Sequence, residues 1–263
     1  MDSVRAWPAV GLMAALALLS SCGPREQAAP PEPAAPPQTA PTPPPTPPVV
    51  GRAELLAAVA AAASAVAAGD PPPAAAGALA GRRFALRLPF GCFGPSPDAA
   101  AGYAYDATKQ VLKLSARPEP WTDADWAREL AGTPSTEAIE GFWIRRPWMA
   151  AEACPKAAPA PMIAPAPETV GLAQVFEEGG SRLQRRAGRP YEATEKLETE
   201  PPPGQGGFRL ALEGRVAAPA AGGGPIRCRA AHPDTPPLCL VLVDIDRVAF
   251  EDAAGRQLAE WRN

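Results

Sequence analysis

The sequence has little of what most enzymes and nucleic-acid-binding proteins use. It contains one histidine, His232, and no C-x-x-C pair, so it offers no set of zinc ligands. It also lacks a phosphate-binding P-loop, a dinucleotide fingerprint, an H-E-x-x-H helix and a G-x-S-x-G nucleophile turn. Its formal net charge is -3, so there is no basic excess to neutralise phosphates. We therefore expect no nucleic-acid partner, no metal or other cofactor, and no enzyme activity.

The apolar run near the N-terminus is too short to span a bilayer. It extends from Ala9 to Leu19, well below the roughly 20 residues that a transmembrane helix needs, but it has the length of a signal-peptide core. Arg5 and the free amino terminus make the preceding segment weakly positive, although Asp2 reduces that charge. Two small residues, Ser20 and Ser21, follow the run, as a signal peptidase requires.

The segment Leu19-Ser20-Ser21-Cys22 resembles the lipobox of bacterial lipoproteins, and the resemblance covers residues 1–22 only. It implies cleavage before Cys22, which would become the lipid attachment site with a diacylglyceryl group and an N-acyl chain such as palmitate. Two or more acyl chains hold a protein stably on a membrane. In this family, Gly23 in place of aspartate favours the outer over the inner membrane. The alternative is an ordinary secretory signal with a chance cysteine.

A proline-rich tract follows the lipobox. Many of the 37 prolines of the chain lie in residues 24–50, a segment with almost no bulky apolar side chains. Such a composition cannot form a packed core and favours extended polyproline II structure. At about 3.1 Å per residue the tract could reach roughly 80 Å. We interpret it as a spacer, and a proline-rich docking ligand is the alternative.

Composition and patterning divide the chain into four parts. Residues 1–21 are the predicted signal peptide, 22–50 the lipidated cysteine with its linker, 51–80 an alanine-rich helix with a connector, and 81–263 a mainly β domain. The helix is predicted over Arg52 to Ala68, with Gly69 as its C-cap. A second membrane span is the alternative for this helix, but Arg52, Glu54 and the alanine content disfavour it.

Alternation with a period of two begins at Arg82 and predicts a small sandwich or barrel-like fold with mainly β structure. A hairpin is expected around Asp106 to Lys109, and a short helix after Trp121 with Thr122 as its N-cap. A tight turn is expected at Asp252 to Gly255. The further strands are predicted at Phe84 to Phe90, Gly141 to Arg145, Val170 to Phe176, Phe208 to Val216, Ile226 to Arg229, Cys239 to Phe250 and Gln257 to Trp261.

Four cysteines remain once Cys22 is lipidated. An even number in an oxidising compartment predicts two disulfides, for which three pairings are possible. We favour Cys228 with Cys239, because a hairpin-like pair of strands brings them together, and Cys92 with Cys154 by elimination.

Several side chains are candidates for binding. Trp143, Trp148 and Tyr191 could form an exposed aromatic face for a sugar or a peptide, although core packing is the ordinary outcome for tryptophan. Phe142 and Ile144 alternate with Trp143, so one of these two sets must point away from the core. A cluster of four arginines could contact lipid headgroups or an acidic partner, although a solvated loop is the usual outcome: Arg182, Arg185, Arg186 and Arg189.

Asp244 and Asp246 form the best carboxylate pair. Residues two apart on a strand face the same way, so the pair could act on a sugar or bind calcium. The alternative is that both carboxylates simply lie on a solvated face of the strand. His232 lies in the loop between Cys228 and Cys239, where a solvent-exposed side chain is expected.

Taken together, these features predict a lipid-anchored envelope protein with a binding or structural role and a protein or peptidoglycan partner. An inhibitor of a wall-degrading or periplasmic enzyme and a carboxylate-dependent hydrolase are the two alternatives.

Overall fold

A computed structural model describes residues 48–156, 167–197, 206–219 and 223–262. The predicted signal peptide, Cys22 and nearly all of the proline-rich tract lie outside these residues. The helices are α1 (Arg52–Ala68), α2 (Ala74–Gly77) and α3 (Asp125–Ala131). The strands are β1 (Arg83–Phe90), β2 (Ala101–Asp106), β3 (Val111–Ala116), β4 (Glu119–Pro120), β5 (Thr136–Trp143), β6 (Val170–Glu177), β7 (Tyr191–Lys196), β8 (Phe208–Val216), β9 (Ile226–Arg229), β10 (Leu238–Asp252) and β11 (Gln257–Arg262).

The predicted mainly β fold is confirmed, and the sheets do not close into a barrel. Strand β10 organises the larger sheet, which has the order β1-β8-β10-β6-β5-β4. Its first half pairs with β6 in parallel and with β9 antiparallel, and its second half pairs with β8 and β11. Leu242 bonds through its carbonyl to the N–H of Ala217 and through its own N–H to the carbonyl of Pro225. Strands β8 and β9 therefore lie end to end along the same side of β10.

One extra residue keeps the apolar side chains of β10 on the core face. Before the irregularity, Val243 and Ile245 are buried in the main core, and after it Val248 and Phe250 are. The pairing with β8 shifts at Asp246, where Ile245 faces Gly214 but Arg247 faces Glu213. A β-bulge inserts one unpaired residue into a strand and so resets its alternation. The sequence Ile245-Asp246-Arg247-Val248 needs this bulge to bury both aliphatic residues.

The smaller sheet, β2-β3-β7, packs on the core face of the larger one. Tyr103 lies 5.0 Å from Phe208 between ring centroids, and Tyr191 lies 5.2 Å from Trp261. Helix α1 covers another part of this core face with Leu55, Leu56, Val59 and Ala62, and contacts β9 and β10. It ends where predicted, because Gly69 adopts the left-handed conformation at a φ of 75°. No helix in the described ranges is both long and apolar enough to cross a bilayer.

The first half of β10 is also buried on its other face. There Leu240 and Leu242 pack with Leu130 of α3 and with Trp121. Three tryptophans meet at this second core: Trp121 lies 4.7 Å from Trp143 and 5.9 Å from Trp126 between ring centroids. Helix α3 begins at Asp125 after an Ala124 N-cap, so the prediction of Thr122 as the cap is wrong. The Thr122 hydroxyl instead accepts a hydrogen bond from the N–H of Ile139 at 3.1 Å, which ties the turn to β5.

Both predicted disulfides are present. Cys92 and Cys154 have Cα atoms 5.4 Å apart and join the end of β1 to the loop after β5. Cys228 and Cys239 stand directly opposite each other on β9 and β10, with Cα atoms 4.0 Å apart. The strand pairing that brings the second pair together is the one that the sequence predicted.

The outer edge of β1 is blocked against further strand pairing. Val50 forms a bridge there, donating to the carbonyl of Arg83 and accepting from the N–H of Ala85. The Glu152 carboxylate accepts the next outward N–H, that of Arg87, at 3.0 Å. Pro89 has no N–H to offer, and its carbonyl accepts from Arg146. Exposed strand edges promote aggregation, and side chains and proline at such positions prevent it.

Candidate binding cleft

A largely apolar cleft lies where the end of β1, the chain after β5 and the loop before β2 meet. It has a volume of about 710 Å³, within the usual range for small-molecule sites. Phe90, Ile144 and Met149 contribute to its apolar lining, with several prolines. A smaller cavity of about 50 Å³ shares Phe90, Arg145 and Glu168 with it and extends toward Trp143.

Two exposed aromatic rings line the cleft. The exposed fraction is 55% for Phe93 and 72% for Trp148, unusually high values for side chains of this size. Exposed apolar surface gathered around a concavity is typical of binding sites, whereas single exposed apolar residues need no explanation. The two rings therefore mark this cleft as the strongest candidate site in the described part of the chain.

The two loops that carry Phe93 and Trp148 are fixed to neighbouring parts of the chain by a disulfide and by hydrogen bonds. Phe93 follows Cys92, whose disulfide to Cys154 fixes that loop to the chain beyond Trp148. Residues 145–149 are anchored by Arg52, whose guanidinium donates to the carbonyls of Met149 at 2.8 Å and Arg145 at 3.0 Å. Arg52 is buried, and burial lowers the pKa of its guanidinium while the charge of Glu152 opposes that effect. The cleft therefore has covalent and hydrogen-bonded support.

Two arginines give the rim of the cleft a positive charge. Arg145 is exposed and Arg146 is half-buried, and within the described ranges neither forms an ion pair. Burial lowers the pKa of Arg146, and the adjacent charge of Arg145 lowers it further. Arg146 Nη2 donates to the carbonyl of Pro89 at 3.3 Å, and the residue has a φ of 54°, a strained value for a side chain other than glycine.

One carboxylate also lines the cleft. Burial raises the pKa of Glu168, the charge of Glu119 raises it further, and Arg145 opposes both effects. The rim thus combines two guanidinium groups with one carboxylate, which leaves a net positive charge beside an apolar cavity. An arrangement of this kind can hold an apolar group and orient an anionic one.

The structure places the predicted aromatic residues in different environments. Trp148 lines the cleft, whereas Trp143 packs against Trp121 and donates from Nε1 to Glu119 at 2.8 Å. Phe142 and Ile144 are buried in the main core, so Trp143 is the residue that points the other way, into the second core. Tyr191 is buried, and Arg186 stacks over its ring at 4.4 Å.

The predicted carboxylate pair lies far from the cleft. Asp244 lies opposite Arg215 in the pairing of β10 with β8, and Asp246 lies 3.8 Å from Arg83, at the opposite end of β1 from Phe90. Seven residues of extended chain separate those ends by roughly 23 Å. Burial raises the pKa of Asp244, and the charge of Asp246 raises it further. The pair belongs to the polar part of the sheet and not to the cleft.

The remaining predicted polar candidates are engaged locally. The four arginines of the cluster face acids or their own loop: Arg182 and Arg185 bind Glu137, Arg186 stacks on Tyr191, and Arg189 donates to the carbonyl of Arg186. His232 is exposed and lies 3.7 Å from Asp234. Among the described residues, no group of three or more His, Cys, Asp or Glu side chains could hold a metal ion.

Sequence reasoning missed four residues of the cleft. Phe93 is a lone aromatic beside a cysteine, and Arg145, Arg146 and Glu168 stand near prolines in loops, so no periodic pattern marks them. The one usable signal was Arg145-Arg146-Pro147-Trp148, a pair of cations next to an aromatic residue in a turn.

Comparison with protein-family models, curated proteins and solved structures finds no match for this chain.

Proposed function

We propose that the chain is a lipid-anchored protein of the bacterial envelope and that its β domain is a binding module that uses the cleft. The observation that carries the proposal is that two exposed rings, Phe93 and Trp148, line the same apolar cavity. The predicted leader with Cys22 supports an extracytoplasmic location. The two disulfides support it independently, since disulfides persist in oxidising compartments. The outer membrane is the favoured site, with the proline-rich tract as a spacer.

Site-specific photocrosslinking in whole cells tests the binding role. A photoreactive residue replaces Ala150, which is exposed and two positions after Trp148, and a matched probe replaces Lys109 at the tip of the β2–β3 hairpin. We expect a discrete adduct with an envelope component, whether protein, wall fragment or small molecule, from position 150 and none from position 109. The double variant Phe93→Ser/Trp148→Ser should remove the adduct while thermal unfolding stays cooperative. Equal labelling from both positions, or an adduct insensitive to the double variant, contradicts a role for the cleft.

The anchoring is tested separately. Intact-mass analysis of the purified protein should show a chain beginning at an acylated Cys22, and Cys22→Ala should release the protein from the membrane fraction. Detection of a free thiol at Cys22 in membrane-bound protein overturns the anchor and leaves the cleft proposal standing.

A further inference from the structure

We propose that the cleft binds a small amphipathic anion, with a single apolar chain lying between Phe93 and Trp148 and a carboxylate or phosphate headgroup on Arg145 and Arg146. The proposal rests on the cleft being the binding site and adds the chemistry of the ligand. The occupant is a free monomeric amphiphile, as distinct from a protein partner or a bilayer surface.

The size and lining of the cavity favour a small molecule with an apolar body. The cavity holds about 710 Å³, and its walls are aromatic, aliphatic and proline side chains. Clefts of roughly 300–1,000 Å³ bury most of a ligand of that size, with a few polar groups setting its orientation. An apolar chain would cover the two rings that are now exposed to water, and each CH₂ group that becomes buried strengthens binding roughly fourfold.

Charge complementarity selects an anion. Arg145 and Arg146 are adjacent, line the cleft and form no ion pair within the described ranges. Other arginines in the fold are paired, for example Arg247 with Glu213 and Arg87 with Glu251. A guanidinium binds carboxylate and phosphate oxygens through two parallel N–H donors, which gives affinity and orientation together. An anion here would relieve the mutual repulsion of the two neighbouring cations.

The position of Glu168 sharpens the selectivity. Its carboxylate lines the same cleft, so a ligand whose negative charge extended along its whole length would meet repulsion. Two guanidinium groups against one carboxylate favour a ligand with a single anionic end, and each further negative charge on the ligand would add repulsion from Glu168. The arrangement therefore disfavours an acidic peptide with several carboxylates.

Isothermal titration calorimetry tests the proposal on the full mature chain, residues 22–263, secreted behind an ordinary signal peptide so that both disulfides form. The variant Cys22→Ser removes the acylation site and with it the need for detergent. The ligands are dodecanoate, dodecyl phosphate and dodecyltrimethylammonium, each below its critical micelle concentration, and neutral dodecanol below its solubility limit. We expect both anions to bind with a stoichiometry of one and at least tenfold more tightly than the neutral and cationic analogues. Decanoate should bind roughly fifteenfold more weakly than dodecanoate, since it buries two fewer CH₂ groups.

Variants separate headgroup recognition from nonspecific hydrophobic binding. Arg145→Gln/Arg146→Gln should lose at least tenfold in affinity for the anions and none for dodecanol, while Arg83→Gln, at the far end of β1, serves as the matched control. Because Arg146 also bonds to Pro89, the single variant Arg145→Gln is used if the double variant fails to fold. The proposal is overturned if the affinity does not depend on the charge of the headgroup, or if it is unchanged when these arginines are replaced.

Two further outcomes distinguish this inference from the proposed function. Binding only to phosphatidylglycerol vesicles, with no monomer binding, would show that the surface docks on membranes and would overturn the ligand assignment. Absence of any amphiphile binding, with a cleft-dependent photocrosslink from position 150 retained, would overturn it too and keep the binding role with a macromolecular partner.

Discussion

The guanidinium of Arg52, at the first position of α1, donates from Nε to the carbonyl oxygen of Met149 at 2.8 Å across a separation of 97 residues. The same side chain also reaches the carbonyls of Arg145 and Arg146. One buried cation thus closes the turn that presents Trp148. It also stands two residues after Val50, where the chain from the linker joins β1. The start of the domain and the wall of the cleft are therefore one hydrogen-bonded unit.

Replacement of Arg52 by methionine should loosen the cleft. Methionine keeps an apolar stem but leaves three partly buried carbonyls without these donors, at about 1–3 kcal/mol of unfolding free energy. The gain from removing a buried charge offsets part of that loss. Urea denaturation measures the stability, and hydrogen exchange should show faster exchange at the Met149 amide, which donates to Arg146. The matched control is Arg128→Met, an exposed arginine with one carbonyl bond, to Thr122. Unchanged exchange in residues 145–149 would contradict the anchoring role.

Loss of the two disulfides should cost different amounts. The Cys92–Cys154 bond closes a separation of 62 residues and the Cys228–Cys239 bond one of 11. On the chain-entropy model these correspond to about 4 and just under 3 kcal/mol. Paired alanine substitutions, compared by urea denaturation, should therefore destabilise the protein by about 1.5 kcal/mol more for the first pair. An equal or reversed order would indicate that the reduced chain retains structure around residues 92–154.

Gly141 should not tolerate a side chain. A Cβ atom there would lie 2.0 Å from the carbonyl oxygen of Leu172 and 2.3 Å from the ring of Trp121. The backbone of the neighbouring strand cannot yield, so Gly141→Ala should cost about 1–3 kcal/mol or more. Near-ultraviolet circular dichroism should report the displaced tryptophan cluster. Gly77→Ala is the control, because nothing lies within 4 Å of that position. A wild-type spectrum in the Gly141 variant would contradict the close packing of Trp121.

The sequence identified those elements that carry many apolar residues of their own between recognisable turn or stop signals. Strand β8 and helix α1 have the predicted bounds, and β10 differs by one or two residues at its ends. Strand β7 was not predicted. Its sequence Tyr-Glu-Ala-Thr-Glu-Lys offers only Tyr191 and Ala193 as apolar positions, and its strand conformation depends on pairing with β3. Strand formation that depends on a distant partner leaves little local signal.

The candidate site was only partly predictable for a related reason. Strand β5 is buried on both faces, so alternation at Phe142, Trp143 and Ile144 could not tell which residue points away from the main core. Arg52 has the sequence context of a solvated charge at a helix start, yet it is 3% exposed. Exposure of Phe93 and burial of Arg52 both follow from how distant loops meet, which a local pattern does not encode.

The acid pair of β10, Asp244 and Asp246, makes stability depend on pH with a definite sign. Burial raises the folded-state pKa of Asp244 above its unfolded value, so the folded protein binds this proton more tightly. The resulting stability is present below the unfolded pKa, near 3.9, and is lost as pH rises through the folded pKa. Asp244→Asn should therefore be more stable than the wild type at pH 7, by at most about 0.5 kcal/mol because the residue is exposed and solvent screens its charge, and the gain should vanish near pH 3.

Asp246→Asn provides the contrast to Asp244→Asn. It loses an ion pair of 3.8 Å between two half-exposed groups, so it should be neutral or slightly less stable at pH 7, by at most about 1 kcal/mol. Urea midpoints measured from pH 3 to pH 8 on both variants and the wild type give the comparison. A loss of stability in Asp244→Asn at pH 7 would mean that the carboxylate is stabilised by a partner and that burial does not dominate. A catalytic pair would instead reveal itself as turnover of a wall polysaccharide that Asp244→Asn abolishes while its stability rises.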